Sequence, residues 1–173
     1  MLSSNGMVTA VADPVESRRK QLGRKYIWGI TEPTEGMEFV GWKEFVEWEV
    51  LRRDRKNRGE EVPEAIDAVF VCTLDETHTE IVTGLASLNL HILSEKPLAT
   101  TLDDCLRIYT SLLPNGPTSQ ATALFAVGHV MRYSPHNMLL RKLLLDDEVI
   151  GEVISVEHTE PIGWWHFTHS YVR

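Results

Sequence analysis

Apolar residues along the chain fall into short runs that are closed by turn residues or by charge. Consecutive apolar residues without polar alternation are typical of strands buried on both faces of a parallel sheet. Such runs predict buried strands at residues 7–12, 67–73, 90–94 and 123–129. An alternating run predicts a strand covered on one face at residues 152–161, and a short strand is predicted at residues 37–40.

Helix-start signals and helical spacing of apolar residues fill the intervals between these strands. Asp13 as a cap, Pro14 at the first helical position and Gly23 at the far end predict a helix over residues 13–23. Further helices are predicted over residues 42–51, 79–88, 100–113 and 134–151, capped by Thr100 or Thr101 and by Ser134 in the last two. The turn-rich residues 114–120 predict a linker.

The helix that begins at Trp42 changes character along its length. Its first part has a predicted buried face made of Trp42, Phe45, Val46, Trp48 and Leu51. The basic residues that follow are Arg52, Arg53, Arg55, Lys56 and Arg58, and acidic residues interrupt and follow them. Mixed charge of this kind predicts a solvated helix end rather than a binding patch.

Strands and helices that alternate at this spacing predict an α/β fold built on a parallel sheet with right-handed crossovers. In such sheets ligands bind beyond the carboxyl ends of the strands. Four polar segments directly follow predicted strands, at Asp13, residues 73–78, Glu95-Lys96 and residues 129–132. We therefore expect a single crevice to collect them.

Composition and charge narrow the classes of partner. The 173 residues are 43% hydrophobic and 24% charged, which is ordinary for a globular protein. A net charge of −8 argues against a nucleic acid or an anionic membrane as partner, because phosphates require a clustered positive face. No apolar run approaches the roughly 20 residues that span a bilayer. Two cysteines and an amino terminus without a signal-peptide pattern predict a soluble protein of the reducing cytoplasm.

Asp13 permits two interpretations. An acidic residue at a strand end can hold the ribose of an adenosine through its hydroxyls, or it can cap the following helix. Arg18 and Arg19 can instead accommodate a 2'-phosphate, although their helical positions favour solvent. The choice between NAD and NADP therefore stays open.

Lys96 is the candidate catalytic residue. Its ammonium can donate a hydrogen bond to a substrate hydroxyl or to a cofactor ribose and can stabilise charge during proton movement. Glu95 precedes it, and Pro97 restricts it to extended geometry. The alternative is an exposed ion pair in a turn.

The histidines and cysteines predict no metal site. His166 and His169 have a spacing that could supply two zinc ligands, and His158 lies in the same region, but no third and fourth ligands are evident. Cys72 and Cys105 lack the spacing of a metal or redox pair and are expected to be packed thiols.

Three segments together resemble the Gfo/Idh/MocA oxidoreductases: residues 67–105, residues 125–133 and residues 150–161. The most specific element is the tripeptide Glu95-Lys96-Pro97, preceded by Cys72-Thr73 and, five residues later, His78. The resemblance implies a Rossmann-like domain, NAD or NADP as cofactor and a sugar or polyol as substrate. It also allows a homo-oligomer.

The resemblance also assigns roles to individual residues. Asp13 would bind the adenosine ribose. Thr73, Leu74 and His78 would line the nicotinamide side, Glu95 and Lys96 would contact the nicotinamide ribose and the substrate hydroxyl, and Arg132 would lie near the same cleft. Many members carry Pro-Asn where this chain has Leu74-Asp75.

Two departures from the family pattern shape the expectations: the sequence lacks the family's first strand with its glycine-rich turn, and it holds only the start of the second domain, which in the family brings an Asp/His pair for proton transfer. Members begin with a strand and a Gly-x-Gly-x-x-Gly turn that holds the pyrophosphate, and no such turn exists in this sequence. We therefore expect a dinucleotide-binding domain over residues 1–150 that lacks its first strand, and the start of a substrate and oligomerisation domain over residues 151–173. Exposed aromatic residues near Trp164 should then make the protein poorly soluble or dependent on a partner.

Two functions follow from this reading. The first is an NAD(P)-dependent oxidoreductase that transfers a hydride to or from a sugar, cyclitol or related polyol, with the 173 residues inactive alone. The alternative is a non-catalytic Rossmann-like remnant or binding module that a partner chain completes.

Overall fold

The computed structural model describes residues 6–113 and 123–170, with the side chains of residues 169 and 170 left out. The predicted linker at residues 114–120 lies outside the described residues. The chain forms two compact units, residues 1–129 and residues 130–173, and the predicted domain boundary at residue 150 stays a prediction. Within the described residues, no helix combines the length and the apolar character that crossing a membrane requires.

The first unit contains five strands and four helices among its described residues. They are β1 Val11–Ala12, α1 Glu16–Tyr26, β2 Glu38–Phe39, α2 Trp42–Asn57, β3 Ala68–Val71, α3 His78–Leu85, β4 His91–Ser94, α4 Leu102–Ser111 and β5 Phe125–Val127. Single 3-10 turns at Asp75–Thr77 and Ala86–Leu88 flank α3. This order confirms the predicted alternation of strands and helices.

All strand pairs are parallel, and they form two separate sheets. β1 pairs with β2, and β3, β4 and β5 pair in that order. In the larger sheet Val71 lies opposite Ser94, which lies opposite Val127. The α/β fold with a parallel sheet, predicted from the sequence, is therefore confirmed.

The core lies on one face of the larger sheet, where α3 and α4 pack. Val82 and Leu85 of α3 and Ile108 of α4 are almost fully buried and contact Val71 and Ile92 of the sheet. Among the described residues no element covers the opposite face, where Phe70 is 68% exposed and Leu93 is 37% exposed. The prediction that residues 67–73 are buried on both faces is wrong for this reason.

The first predicted strand is also shorter and more open than its apolar run suggests. Only Val11 and Ala12 pair with β2, whereas Met7 and Val8 are exposed. Among the described residues, β1 has a strand neighbour on one side only. Within the same part of the chain, Met7 and Val8 therefore have no strand to pair with and no element packed against them.

Helix α1 is displaced by three residues from its predicted range. The Asp13 carboxylate accepts a hydrogen bond from the Val15 backbone N–H at 2.7 Å, and the helix begins only at Glu16. Gly23 does not end the helix; a Cβ atom there would lie 1.8 Å from the Trp28 indole. Gly23 is thus required for close packing of Trp28 and not for termination.

The predicted solvated end of α2 is wrong at Arg52. Arg52 is 4% exposed and forms two hydrogen bonds to the fully buried Glu49, at 2.7 and 2.8 Å. Arg53 binds the same carboxylate at 2.7 Å. Leu51, which the spacing places in the core, is 62% exposed. Pairing with Glu49 makes the arginine, and not the leucine, the inward residue.

The second unit consists of short helices and irregular chain. It contains a 3-10 turn at Val130–Tyr133, helix α5 at Pro135–Arg141, a π-helical turn at Lys142–Asp146 and helix α6 at Trp164–Ser170. Pro135 occupies the first position of α5, as predicted. The strand predicted over residues 152–161 is wrong: the segment is irregular, and Ile154 and Val156 are exposed because no described strand pairs with them.

Candidate functional site at the strand ends

The carboxyl ends of β3, β4 and β5 meet at one edge of the larger sheet. Backbone hydrogen bonds of 2.8 Å link Glu95 N to the Val71 carbonyl and Gly128 N to the Ser94 carbonyl. This register places Thr73, Glu95 and Gly128 side by side just beyond the strands. The sequence prediction that these segments share one edge is confirmed for these three strands.

His78 connects the loop after β3 to the loop after β4. Its ring is fully buried, with Nδ1 2.8 Å from the Pro97 carbonyl and Nε2 3.2 Å from the Thr73 carbonyl. A carbonyl oxygen only accepts hydrogen bonds, so a ring nitrogen bonds its carbonyl only when it carries a proton, and the shorter of the two contacts is that of Nδ1 with Pro97. His78 thereby fixes the loop that carries Lys96 to the loop after β3.

The loop after β3 is organised by Thr77. Its hydroxyl lies 2.7 Å from the Leu74 carbonyl and 2.8 Å from the Thr73 hydroxyl. A hydroxyl carries one proton, so Thr77 donates to the carbonyl and can accept from Thr73. Leu74 itself is 55% exposed. Its apolar side chain is therefore available to a ligand at the strand ends.

Glu95 and Lys96 form the exposed part of this edge. The Glu95 carboxylate accepts from the Lys96 backbone N–H at 3.2 Å, and a Cβ atom at Gly128 would lie 3.2 Å from the same carboxylate. The Lys96 ammonium has no hydrogen-bond or ion-pair partner among residues 6–113 and 123–168, and the Lys96-Pro97 peptide bond is cis. Lys96 thus presents an exposed, unpaired cation beside a carboxylate.

Cys72 lies close enough to Glu95 to sense its charge. Burial raises the pKa of the Cys72 thiol above its usual value of 9.0, and the negative charge of Glu95 raises it further. The thiol is protonated at neutral pH. Cys72 is therefore no candidate nucleophile, since the thiolate is the reactive form.

Asp13 lies at the carboxyl end of β1, in the smaller sheet. One carboxylate oxygen accepts from Val15 N, and its backbone carbonyl accepts from the Arg19 guanidinium at 2.6 Å. Arg19 is 9% exposed and also donates to Glu38 at 2.7 Å. Lys20 binds the second oxygen of Glu38 at 2.9 Å. The expectation that Arg19 faces solvent is wrong, because these two acceptors hold it inside.

Arg132 lies in the second unit, within the turn Val130–Tyr133, and its side chain is exposed. Its predicted place near the cleft stays a prediction. The described residues contain no group of three or more histidine, cysteine or acidic side chains that could hold a metal ion.

No sequence pattern indicates the Arg19–Glu38 pair. The two residues lie 19 positions apart, and Glu38 belongs to a two-residue strand in a weakly patterned segment. The buried role of His78 was missed for a similar reason. The family resemblance assigned it to the site, but only the folded loops show that both ring nitrogens face carbonyl groups.

The donors and acceptors at the two strand ends are of the chemical kind that binds ribose hydroxyls. The second carboxylate oxygen of Asp13 accepts no hydrogen bond from the described residues and can accept from ribose hydroxyls, as such acids do at strand ends. Glu95 and Lys96 offer an acceptor and a donor to a second ribose. No Gly-x-Gly-x-x-Gly turn, which would cradle the pyrophosphate, exists in the sequence.

Curated relatives match the first part of the chain. An inositol 2-dehydrogenase of Saccharopolyspora erythraea is 36% identical over 91 residues, which is 53% of this chain and 25% of that protein. A 2,7-anhydro-N-acetylneuraminate hydratase of Escherichia coli is 33% identical over 99 residues, which is 57% of this chain and 24% of that protein. The chain thus spans about a quarter of the length of these relatives.

Solved structures share the fold at lower identity. A levoglucosan dehydrogenase in complex with NADH and levoglucosan aligns with a TM-score of 0.60 and 18% identity, over 84% of this chain and 32% of that chain. A myo-inositol 2-dehydrogenase from Lactobacillus plantarum aligns with a TM-score of 0.62 and 16% identity, over 84% and 35%. Residues 3–120 match the family described as an oxidoreductase family with an NAD-binding Rossmann fold. The chain therefore belongs to the Gfo/Idh/MocA oxidoreductase family.

Proposed function

We propose that this chain carries the ribose-binding and substrate-polarising residues of an NAD(P)-dependent oxidoreductase that acts on a sugar, cyclitol or related polyol. The observation that carries the proposal is the unpaired ammonium of Lys96 beside Glu95, on a loop that buried His78 fixes. The family supports the cofactor, and the inositol and levoglucosan dehydrogenases among the similar proteins support the substrate class.

The chemistry assigned to the chain follows from these positions. Lys96 Nζ donates a hydrogen bond to the substrate oxygen and stabilises the negative charge that develops on that oxygen during hydride transfer. Glu95 and Asp13 accept hydrogen bonds from ribose hydroxyls. Thr73 and Leu74 line the nicotinamide side, and His78 is a positioning residue because its ring is buried. NAD(P), when bound, would supply the hydride chemistry.

The wider setting is part of the same proposal. We place the protein in the reducing cytoplasm, which the free thiols of Cys72 and Cys105 support. The family resemblance keeps Arg132 as a candidate cofactor-binding residue, and the negative net charge argues against nucleic-acid partners. Because the sequence holds no glycine-rich turn, we expect no turnover by these 173 residues alone.

Ligand-detected NMR tests the proposal on the chain itself. NADH should receive saturation from the protein at both ribose groups. Asp13→Asn should weaken the signal of the adenosine ribose, and Lys96→Met should weaken the signals of the nicotinamide side. Lys56→Met, which removes an exposed cation from α2, is the matched control and should change neither. The absence of saturation transfer from the protein to NADH at millimolar NADH would contradict the proposal. Binding of NADH with micromolar affinity would show that the glycine turn is dispensable.

A second function is favoured by the separation of the two sheets. β1 pairs with β2 alone and β3 with β4 alone, so each has an edge without a strand partner among the described residues. Open edges of this kind pair readily with another chain. We therefore propose, as the alternative, a non-catalytic module whose sheets a partner strand completes. Native mass measurement with and without NADH separates the two: a monomer with saturable NADH binding would eliminate the alternative.

A further inference from the structure

The charged groups beside Asp13 form one connected cluster. Arg19 donates to Glu38 and to the Asp13 carbonyl, and Lys20 donates to the other Glu38 oxygen. The side chains of Arg19 and Glu38 are 10% and 16% exposed. The hydrogen bond from Lys20 lowers the pKa of the Glu38 carboxyl, and Arg19 lowers it further against the opposing effect of burial. Glu38 is ionised at neutral pH and holds both cations.

A cavity of about 240 Å³ opens on this cluster. Six residues line it: Glu16, Arg19, Lys20, Glu38, Val40 and Glu44. The lining therefore contains three carboxylates and two cations, and both cations already bind Glu38. A phosphate in this space would meet a negative balance of charge, because a free arginine or lysine is the usual partner of a 2'-phosphate.

We propose that Glu38 determines the choice of dinucleotide by occupying Arg19 and Lys20, so that the site accepts the unphosphorylated ribose of NAD and rejects the 2'-phosphate of NADP. The inference rests on the proposed function, since it concerns the ribose that Asp13 binds. It assigns Glu38 a role in cofactor selection at the adenosine ribose and not in the reaction of the substrate. Removal of its charge would leave Arg19 and Lys20 without their shared carboxylate partner beside Asp13.

The test compares NADH with NADPH by ligand-detected NMR titration on three forms of the chain. The unmodified protein should bind NADH at least about tenfold more tightly than NADPH, because the carboxylates repel the 2'-phosphate; tenfold corresponds to about 1.4 kcal/mol. Glu38→Gln should reduce this ratio about tenfold. Glu44→Gln is the matched control: it removes the same charge from the same cavity but releases neither cation. Its ratio should stay within about twofold of the original.

Each outcome bears on a separate step. Equal or tighter binding of NADPH by the unmodified protein overturns the inference and leaves the proposed function standing. Equal relaxation in Glu38→Gln and Glu44→Gln overturns the role of the two cations. Failure of both dinucleotides to bind overturns the proposed function, and the inference with it. If Glu38→Gln unfolds, as circular dichroism would show, the ratio for the unmodified protein decides alone.

Discussion

The carboxyl ends of β1 and β4 differ in what their nearest cations contact. Beside β1, Arg19 is buried against Glu38 and the Asp13 carbonyl. Beyond β4, Lys96 is exposed and has no side-chain partner within the part of the chain that the structure describes. A buried charge must be paired or it destabilises the fold, whereas an exposed ammonium keeps its hydration. The first cation belongs to the fold, and the second is available to a ligand.

The largest effect is expected where the pairing is most deeply buried. Glu49→Gln leaves Arg52 charged and buried without a carboxylate, and it should lower the free energy of unfolding by about 3 kcal/mol. Urea denaturation measures this loss. Glu47→Gln, an exposed change on the same helix, should cost under about 0.5 kcal/mol. Similar losses in free energy of unfolding for the two variants would show that burial does not determine how much the Glu49–Arg52 pair stabilises the fold.

A smaller loss of stability is expected at the Arg19–Glu38 pair beside β1, which is slightly more exposed than the Glu49–Arg52 pair. Arg19→Met removes a donor from Glu38 and leaves the Asp13 carbonyl without its side-chain partner, so it should lower the free energy of unfolding by about 2 kcal/mol. Arg18→Met, an exposed neighbour on α1, is the matched control for chemical denaturation. An unchanged denaturation midpoint in Arg19→Met would show that Arg19, like Lys96, does not contribute to stability, and it would contradict the contrast between the two cations.

Acid should remove part of both stabilising contributions. Burial opposes ionisation of Glu49, but hydrogen bonds from Arg52 and Arg53 outweigh it and hold the pKa below the usual 4.5; Glu38 is lowered as well. A lowered folded-state pKa stabilises the protein above the unfolded value, and that stability is lost as the pH falls through the folded value. Thermal unfolding below pH 4.5 should show this loss, and Glu49→Gln should show less of it.

The smallest effect on stability is expected at Lys96. Lys96→Met should change the free energy of unfolding by less than about 0.5 kcal/mol, because no described interaction of its ammonium is lost. Equilibrium unfolding in urea checks this value alongside the NMR test of binding. A loss above about 1 kcal/mol would reveal a structural partner for the ammonium and weaken its assignment to a ligand.

Much of the fold could be predicted because the signals are local. Strands β3, β4 and β5 are short apolar runs. Thr101, one of the two threonines predicted as the cap of α4, accepts a hydrogen bond from Asp104 N at 3.1 Å. The first strand and the strand over residues 152–161 were overpredicted. An apolar or alternating run shows what a segment could bury, but pairing requires a neighbour at the right distance.

The site shows the same division. Sequence alone placed Thr73, Glu95 and Lys96 beyond neighbouring strands, because parallel strands present their carboxyl ends at one edge. It could not show that Arg19 is buried, since a helical position does not reveal a carboxylate 19 residues away. The chemical groups and their order along the sheet were determined by the sequence. Which charges became internal pairs and which stayed open was decided by the tertiary structure, because desolvation and pairing depend on distances that only the folded chain sets.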